Sequence, residues 1–209
     1  MAVAEVVWDA GIQAGRATVR LGAICRCGRT EAPARTFTEA DSGMDYGVRR
    51  ARTSDVRAIR ALVDANVKSG RLLDKPTVTL YEDIQEFLVA TTPDGEIAGC
   101  GALHVMWEDL AEIRTLAVAF DHQRRGAGNL IVTALLDTAR EVGVSRVFVL
   151  TFAVEFFRGH GFTEIAGQAA APEVYAELLR SYDEGVAEFL DLDRVKPNTL
   201  GNTRMLLRL

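Results

Sequence analysis

The sequence has no apolar run approaching the ~20 residues of a membrane span, and its N-terminus carries Glu5 and Asp9 instead of a continuous apolar core. Neither a spanning segment nor a secretory signal is expected, and the reading is a cytoplasmic chain. Cysteines are few. There are three, an odd number, with the pair Cys25-x-Cys27 far in sequence from Cys100. That argues against a disulfide framework and does not fit zinc-ligand spacing, so reduced thiols and no metal are expected. No face rich in Lys and Arg stands out, and a net charge of −5 with a pI near 5.3 argues against nucleic acid as a partner. Internal repeats and low-complexity tracts are missing, as is any well-spaced Ser/His/Asp or paired-carboxylate arrangement. What is present is 209 residues of which 48% are hydrophobic, enough for one well-buried core or one core with an extension.

The most informative stretch is 112–142, EIRTLAVAFDHQRRGAGNLIVTALLDTAREV. Ile113 to Phe120 is mostly β-branched or apolar, as expected of a strand covered on both faces. In QRRGAG (Gln123 to Gly128), Gly126 and Gly128 let the backbone come close to a ligand. The helix that follows points its unpaired N–H groups and positive dipole end at the same place. Arg124 and Arg125 add charge. Leu130, Ile131, Ala134, Leu135, Thr138, Ala139 and Val142 recur at three-to-four-residue spacing, giving the helix one face for a sheet, and Gly143 stops it. A phosphate-bearing ligand is the implied occupant.

Around this unit the chain alternates. Residues 1–45 show no sustained period and are expected to be a poorly structured extension; translation from Met44 is a further expectation. Residues 46–209 form the domain. Tyr46 to Arg50 reads as a strand, and Thr53 as the N-cap of a helix carrying Val56, Ile59, Leu62, Val63 and Val67 and ending at Gly70. A short helix near Thr79 to Ile84 and a hairpin over 86–106, turning at Pro93-Asp94-Gly95, come next. Arg146 to Thr151 is a strand, Val154 to Arg158 a short helix, and Gly161-Phe162 a turn into another strand. Pro172 to Asp191 is an amphipathic helix or helix pair that Gly185 breaks, with Val174, Leu178, Tyr182, Val186, Phe189 and Leu190 on one side and its acidic run solvated. Arg204 to Leu209 is the last strand.

A strand, then Q/R-x-x-G-x-G/A, then a helix, here with Gln123, Gly126 and Gly128, resembles the acetyl-CoA signature of the GCN5-related N-acetyltransferases (GNAT). VEFFRGHGF resembles that family's last motif. The resemblance implies an α/β fold, a mixed, bent sheet of about six to seven strands flanked by helices. It implies acetyl-CoA as cosubstrate, bound by Gln123, Arg124, Arg125, Gly126, Ala127, Gly128 and Asn129. Strand N–H groups at Leu116, Ala117 and Val118, on a strand that carries a bulge in the family, would hold the thioester carbonyl. Homodimers are common in the family. LLDK (Leu72 to Lys75), FLVA, EIRTLAV and GNTRMLL further resemble the acetyltransferase part of N-acetylglutamate synthases, over most of residues 46–209. That implies L-glutamate as the amino-acid partner and the opening step of arginine biosynthesis. Related acetyltransferases acting on glutamine, a polyamine, a drug or a protein N-terminus, and a non-catalytic acyl-CoA-binding regulator, are the alternatives. Many such synthases also carry a kinase-like arginine-binding domain, for which 209 residues are too short, so feedback of that kind would need another mechanism.

Acetyl transfer to an amine that is mostly protonated at neutral pH needs a base. Glu112, at the start of the central strand, is the candidate, with Glu108 in reserve; the alternative for Glu112 is a strand-end carboxylate paired with Arg114. Strict alternation would put Glu112, Arg114, Leu116 and Val118 on one face, before any bulge. Many relatives place a tyrosine acid where Phe157 stands here, so the acid is unassigned. Thr151 is a candidate hydrogen-bond donor or a plain strand-end threonine. Lys75, Arg114 and Arg204 are the candidate partners for substrate carboxylates, the alternative being surface charges; lysine at 75 departs from the commoner arginine. His104 reads as a core or edge histidine, and His122 and His160 as solvent-facing loop residues.

Overall fold

The structure, a computed structural model, describes residues 45–68, 72, 74–192 and 201–209. The expected extension lies outside these residues except for Asp45, as do Met44 and Gly70. In chain order the elements are β1 (Gly47–Arg50), α1 (Val56–Lys68), α2 (Thr77–Glu82), β2 (Phe87–Thr91), β3 (Ile97–Trp107) and β4 (Leu110–Val118). They continue with α3 (Ala127–Val142), β5 (Arg146–Thr151), α4 (Val154–Gly159), β6 (Thr163–Glu164), α5 (Pro172–Leu178), α6 (Glu184–Phe189) and β7 (Thr203–Arg208).

The strands form one mixed sheet in the order β1-β2-β3-β4-β5-β7-β6. β1 to β4 is an antiparallel meander. Its first hairpin closes at Gly95, whose φ of +85° only glycine adopts without strain and whose N–H meets the Thr92 carbonyl. β5 is parallel to β4, which requires a crossover, and α3 supplies it. α3 stops at Gly143, at φ +98°, whose N–H reaches the carbonyls of Ala139 and Arg140.

One face of the sheet carries α3 and α4. Ile131, Leu135, Leu136 and Ala139 pack there on Leu88, Leu103, Ala111 and Ile113, together with Phe157 and Phe162. Each large aliphatic side chain buried there contributes about 1.5–3 kcal/mol. Gly99 and Gly101 lie under α3: a Cβ at Gly101 would stand 2.9 Å from Ile131 and 3.1 Å from Leu135, so the helix sits directly on bare strand. The opposite face holds two separate clusters. α1 and α2 cover Phe87, Val89, Cys100, Ala102 and Ala117, while Leu178, Val186, Phe189 and Leu190 of the α5–α6 region cover Met106, Leu110 and Phe148.

Several boundaries differ from expectation. β4 starts at Leu110 and ends at Val118; Phe120–His122 is a 3-10 turn, because the strand has no partner beyond Ala119, whose N–H reaches the Ala98 carbonyl. Thr53 opens a 3-10 turn and is not an N-cap. The stabilising contact runs backward instead, from the Arg52 N–H to the Asp55 carboxylate at 2.7 Å. The α5–α6 break falls at 179–183, and Gly185 lies inside α6. Tyr182, expected in the core, sits in that break and is 99% exposed.

Candidate active site

β4 is distorted where the site lies. Between Ala102↔Arg114 and Cys100↔Ala117 the pairing gains a residue on β4, and Thr115 takes φ +57°, a left-handed conformation unfavourable for a β-branched residue. The bulge resets the alternation. Leu116 and Val118 join Ile113 on the α3 face, whereas Arg114 stays on the other. The strict register that would align Glu112, Arg114, Leu116 and Val118 therefore does not hold.

β4 and β5 pair only from Leu110↔Arg146 to Glu112↔Phe148. Beyond that point they part, and a cavity of about 590 Å³ opens in the fork. Ile113, Arg114, Thr115, Leu116 and Val118 line one side, Val149, Leu150 and Thr151 the other, and Gln123, Arg124, Gly126, Gly128 and Asn129 the mouth. The loop is shaped for close approach. Arg124 and Gly126 both have positive φ, +58° and +92°, so the backbone turns sharply into α3. Helix geometry leaves the first-turn N–H groups of α3 without intrahelical partners, facing an anion's position. A Cβ at Gly128 would lie 3.5 Å from the Phe156 ring and 3.6 Å from Val118, ordinary contacts, so internal packing does not demand glycine there; a methyl would instead reduce the cavity. Gln123 donates from Nε2 to the Val118 carbonyl at 3.3 Å, tying loop to strand. Asn129 Oδ1 is 3.2 Å from His160 Nε2. Ala127 is fully buried beneath the loop, and Arg125 is exposed beside it.

Thr151 is buried and accepts the Ala153 N–H at 2.9 Å, which starts α4 and leaves its own O–H as a donor within the cavity wall. Phe157, where an acid was sought, is buried against Phe162, and both it and Phe156 are among the residues lining the cavity.

At the closed end of the fork, Glu112 is 3% exposed and stands opposite His104 on β3 and beside Phe148 on β5. Its charge acts on each of the three cations expected near a substrate carboxylate, Lys75, Arg114 and Arg204. Burial, with Arg114 nearby, pushes the Lys75 ammonium below its ordinary value. Arg60 of α1 bonds the Lys75 carbonyl and, at 2.7 Å, the Asp74 carboxylate, anchoring this segment. Arg204 lies over the rings of Phe148 and Phe189, at 5.1 and 5.6 Å, and donates to the Phe189 carbonyl at 2.7 Å. Burial lowers its pKa. Arg114 is 8% exposed and heavily engaged: Asp183 at 2.7 Å, Glu86 at 3.2 Å, Asp83 at 3.6 Å and His104 Nδ1 at 2.7 Å. Burial works against its charge, but Asp183, Glu112 and Glu86 outweigh it and raise the pKa. A guanidinium held on both Nη atoms organises protein carboxylates first, which limits the bidentate role expected of it.

His104 also bonds Glu86 at 2.8 Å, so it belongs to the ionic cluster. His122 and His160 are half-buried, not solvent-facing: the first meets the Tyr46 hydroxyl at 2.9 Å and the second packs on Phe156. Glu108 is exposed in the β3–β4 turn; of the expected catalytic and acceptor residues, Arg114 and Thr151 line the cavity, whereas Glu112, Lys75, Arg204 and Glu108 are not among its lining. Asp83, Glu86 and Asp183 carried no signal as site residues, because acidic residues on amphipathic segments look solvated. Asn66, buried on α1 and lining the cavity, was likewise read as part of a plain helix. Cys100 is buried behind the bulge with its thiol pushed up to about 12 by burial, which makes it inert. Among the described residues no helix is long and apolar enough to cross a membrane.

Residues 44–162 match the acetyltransferase (GNAT) family. An amino-acid acetyltransferase from Mycobacterium tuberculosis is 60% identical over 163 residues, covering 77% of this chain and 92% of its own length. A crystal structure from the same organism, in complex with CoA and NLQ, superposes with a TM-score of 0.76 at 59% identity, covering 78% of this chain and 99% of that one. An N-acetylglutamate synthase from Neisseria gonorrhoeae, complexed with coenzyme A and N-acetyl-glutamate, gives a TM-score of 0.63 at 26% identity. There the match covers 79% of this chain but only 35% of the synthase. The α/β fold, the acetyltransferase activity and acetyl-CoA as acyl donor, all expected from the strand–loop–helix unit, agree with these matches. The chain belongs to the GNAT family of acetyltransferases.

Proposed function

We propose that this chain transfers the acetyl group of acetyl-CoA to the α-amino group of L-glutamate, by direct attack of the amine without an acetyl-enzyme. What supports the reading is the cavity in the β4–β5 fork behind the Gln123–Gly128 loop, with a buried carboxylate, Glu112, on β4 where the strands part and its charge acting on Lys75, Arg114 and Arg204. The naming of similar proteins as amino-acid acetyltransferases supports it.

Acetyl-CoA supplies a thioester-activated acetyl group. The residues of the loop fit its pyrophosphate: left-handed Gly126 exposes the α3 N-terminus, with Ala127, Gly128 and Asn129 contributing N–H groups and Arg124 and Arg125 contributing charge. Gln123 braces the loop against β4. Main-chain N–H groups at Leu116 to Val118, where β4 has left β5, polarise the carbonyl. Glu112 takes the proton from the ammonium, directly or through a water, and Thr151 donates a hydrogen bond to the departing thiolate, whose ordinary pKa of about 8.5 requires only modest help. Lys75 and Arg204 bind the acceptor's carboxylates, with Arg114 shaping the site between them.

An acetyl-CoA thiol-release assay across amino acids, polyamines and other amines tests this. Turnover of glutamate supports it. Turnover of another amine alone assigns a different acceptor, and tight CoA binding without turnover of any amine assigns a regulator.

A further inference from the structure

His160 closes α4 beside the cavity. Its N–H meets the Phe157 carbonyl at 3.0 Å, and Gly161, at φ +87°, turns the chain away with its own N–H on the Arg158 carbonyl at 2.9 Å, which fixes where the imidazole starts. The ring makes an edge contact with Phe156, centroids 5.0 Å apart, and Phe156 lines the cavity. Nε2 stands 3.2 Å from Oδ1 of Asn129, the third residue of α3 and also part of the lining. Burial lowers the His160 pKa below its ordinary value, so at neutral pH the ring is uncharged and carries a single proton.

An amide oxygen only accepts, so this contact is a hydrogen bond when that proton is on Nε2. The Asn129 carboxamide has two unlike ends: with Oδ1 on His160, Nδ2 and its N–H groups are the end left for a ligand. Beside an anion the difference matters. Rotated by half a turn, the same amide would offer an oxygen to phosphate oxygens and repel them. We propose that His160 is a positioning residue of the acyl-donor site: its Nε2–H holds Asn129 Oδ1, so that the Asn129 amide presents N–H groups to the pyrophosphate of acetyl-CoA. This rests on the reading of residues Gln123 to Asn129 as the pyrophosphate site.

Nitrogen-15 NMR of the full chain reads the orientation without turnover: the His160 ring should be the Nε2–H tautomer, with Nδ1 unprotonated. An Nδ1–H tautomer would mean that the amide is turned the other way and would overturn the proposal. H160F keeps a ring on Phe156 and removes the donor, and H160Q returns an N–H. By calorimetry H160F should bind CoA about five-fold more weakly and H160Q within about two-fold of the wild type, while the double variant H160F/N129A should bind no more weakly than N129A alone, because His160 acts through Asn129. Pantetheine, which lacks the pyrophosphate, separates this from general damage: titrated by NMR, it should bind H160F and the wild type within about two-fold of each other. Equal loss for CoA and pantetheine, or additive losses in the double variant, would overturn the proposal. Gly126→Val tests the underlying reading. If it weakens CoA and pantetheine alike, this loop is not the pyrophosphate site and the proposal falls with it; a loss confined to CoA, beside an H160F that binds CoA normally, overturns the proposal alone.

Discussion

Glu112, the proposed proton acceptor, is buried on β4 where that strand parts from β5, and its charge acts on Lys75, Arg114 and Arg204. Replacing it with glutamine keeps the shape and removes the proposed base. Glu112→Gln should lower kcat about a hundred-fold, in the range of general-base contributions, and leave CoA affinity within about two-fold; steady-state rates and calorimetric titration measure the two. Full activity across pH would exclude the assignment. In the cavity lining, Gly126 holds φ +92° at the start of α3. Gly126→Val puts a β-branched residue where L-residues pay roughly 1–2 kcal/mol, and pushes its side chain toward the anion's position. CoA binding should weaken by more than about ten-fold, with the melting temperature falling only slightly.

At the scale of elements, α3 joins the two functions of the fold. Its N-terminus opens onto the cavity and its apolar stripe lies on bare strand at Gly99 and Gly101. Leu135→Ala, at a fully buried position, should cost about 2–5 kcal/mol in denaturant unfolding; a loss below 1 kcal/mol would mean that α3 does not clamp the sheet. This unit was legible in the sequence because everything that specifies it is local: an apolar run, two glycines, a 3.6-residue period and a terminal glycine. The acceptor cluster was only partly legible. Glu112, Lys75, Arg114 and Arg204 were nameable by charge and neighbourhood, but the grip on Arg114 comes from residues 83, 86, 104 and 183, whose spacing carries no period. The α5–α6 break shows the same limit, since Gly185 looked like a helix breaker and is instead a packing residue against Arg114.

For the molecule as a whole, the partly buried ion pairs make stability depend on acid. The Asp55 carboxyl is held low by its hydrogen bond from Arg49, and those of Glu86 and Asp183 are held low despite burial by His104 and Arg114 and by Arg114 and the Val186 N–H, respectively. A depressed carboxyl adds stability that is complete above the unfolded value of about 4 and is lost as pH falls through the folded value. Asp83, raised by burial and by Glu86, works in the opposite sense and softens the onset. The melting temperature should therefore be nearly level from pH 7 to about 5 and drop below about 4, less steeply in D183N. The proposed acetylation of L-glutamate is decided by incubating the protein with acetyl-CoA and L-glutamate and identifying the product by mass spectrometry and NMR. Glutamate acetylated on its α-nitrogen, formed in step with free CoA, is the expected result; unmodified glutamate beside a protein that binds CoA would refute the glutamate reading.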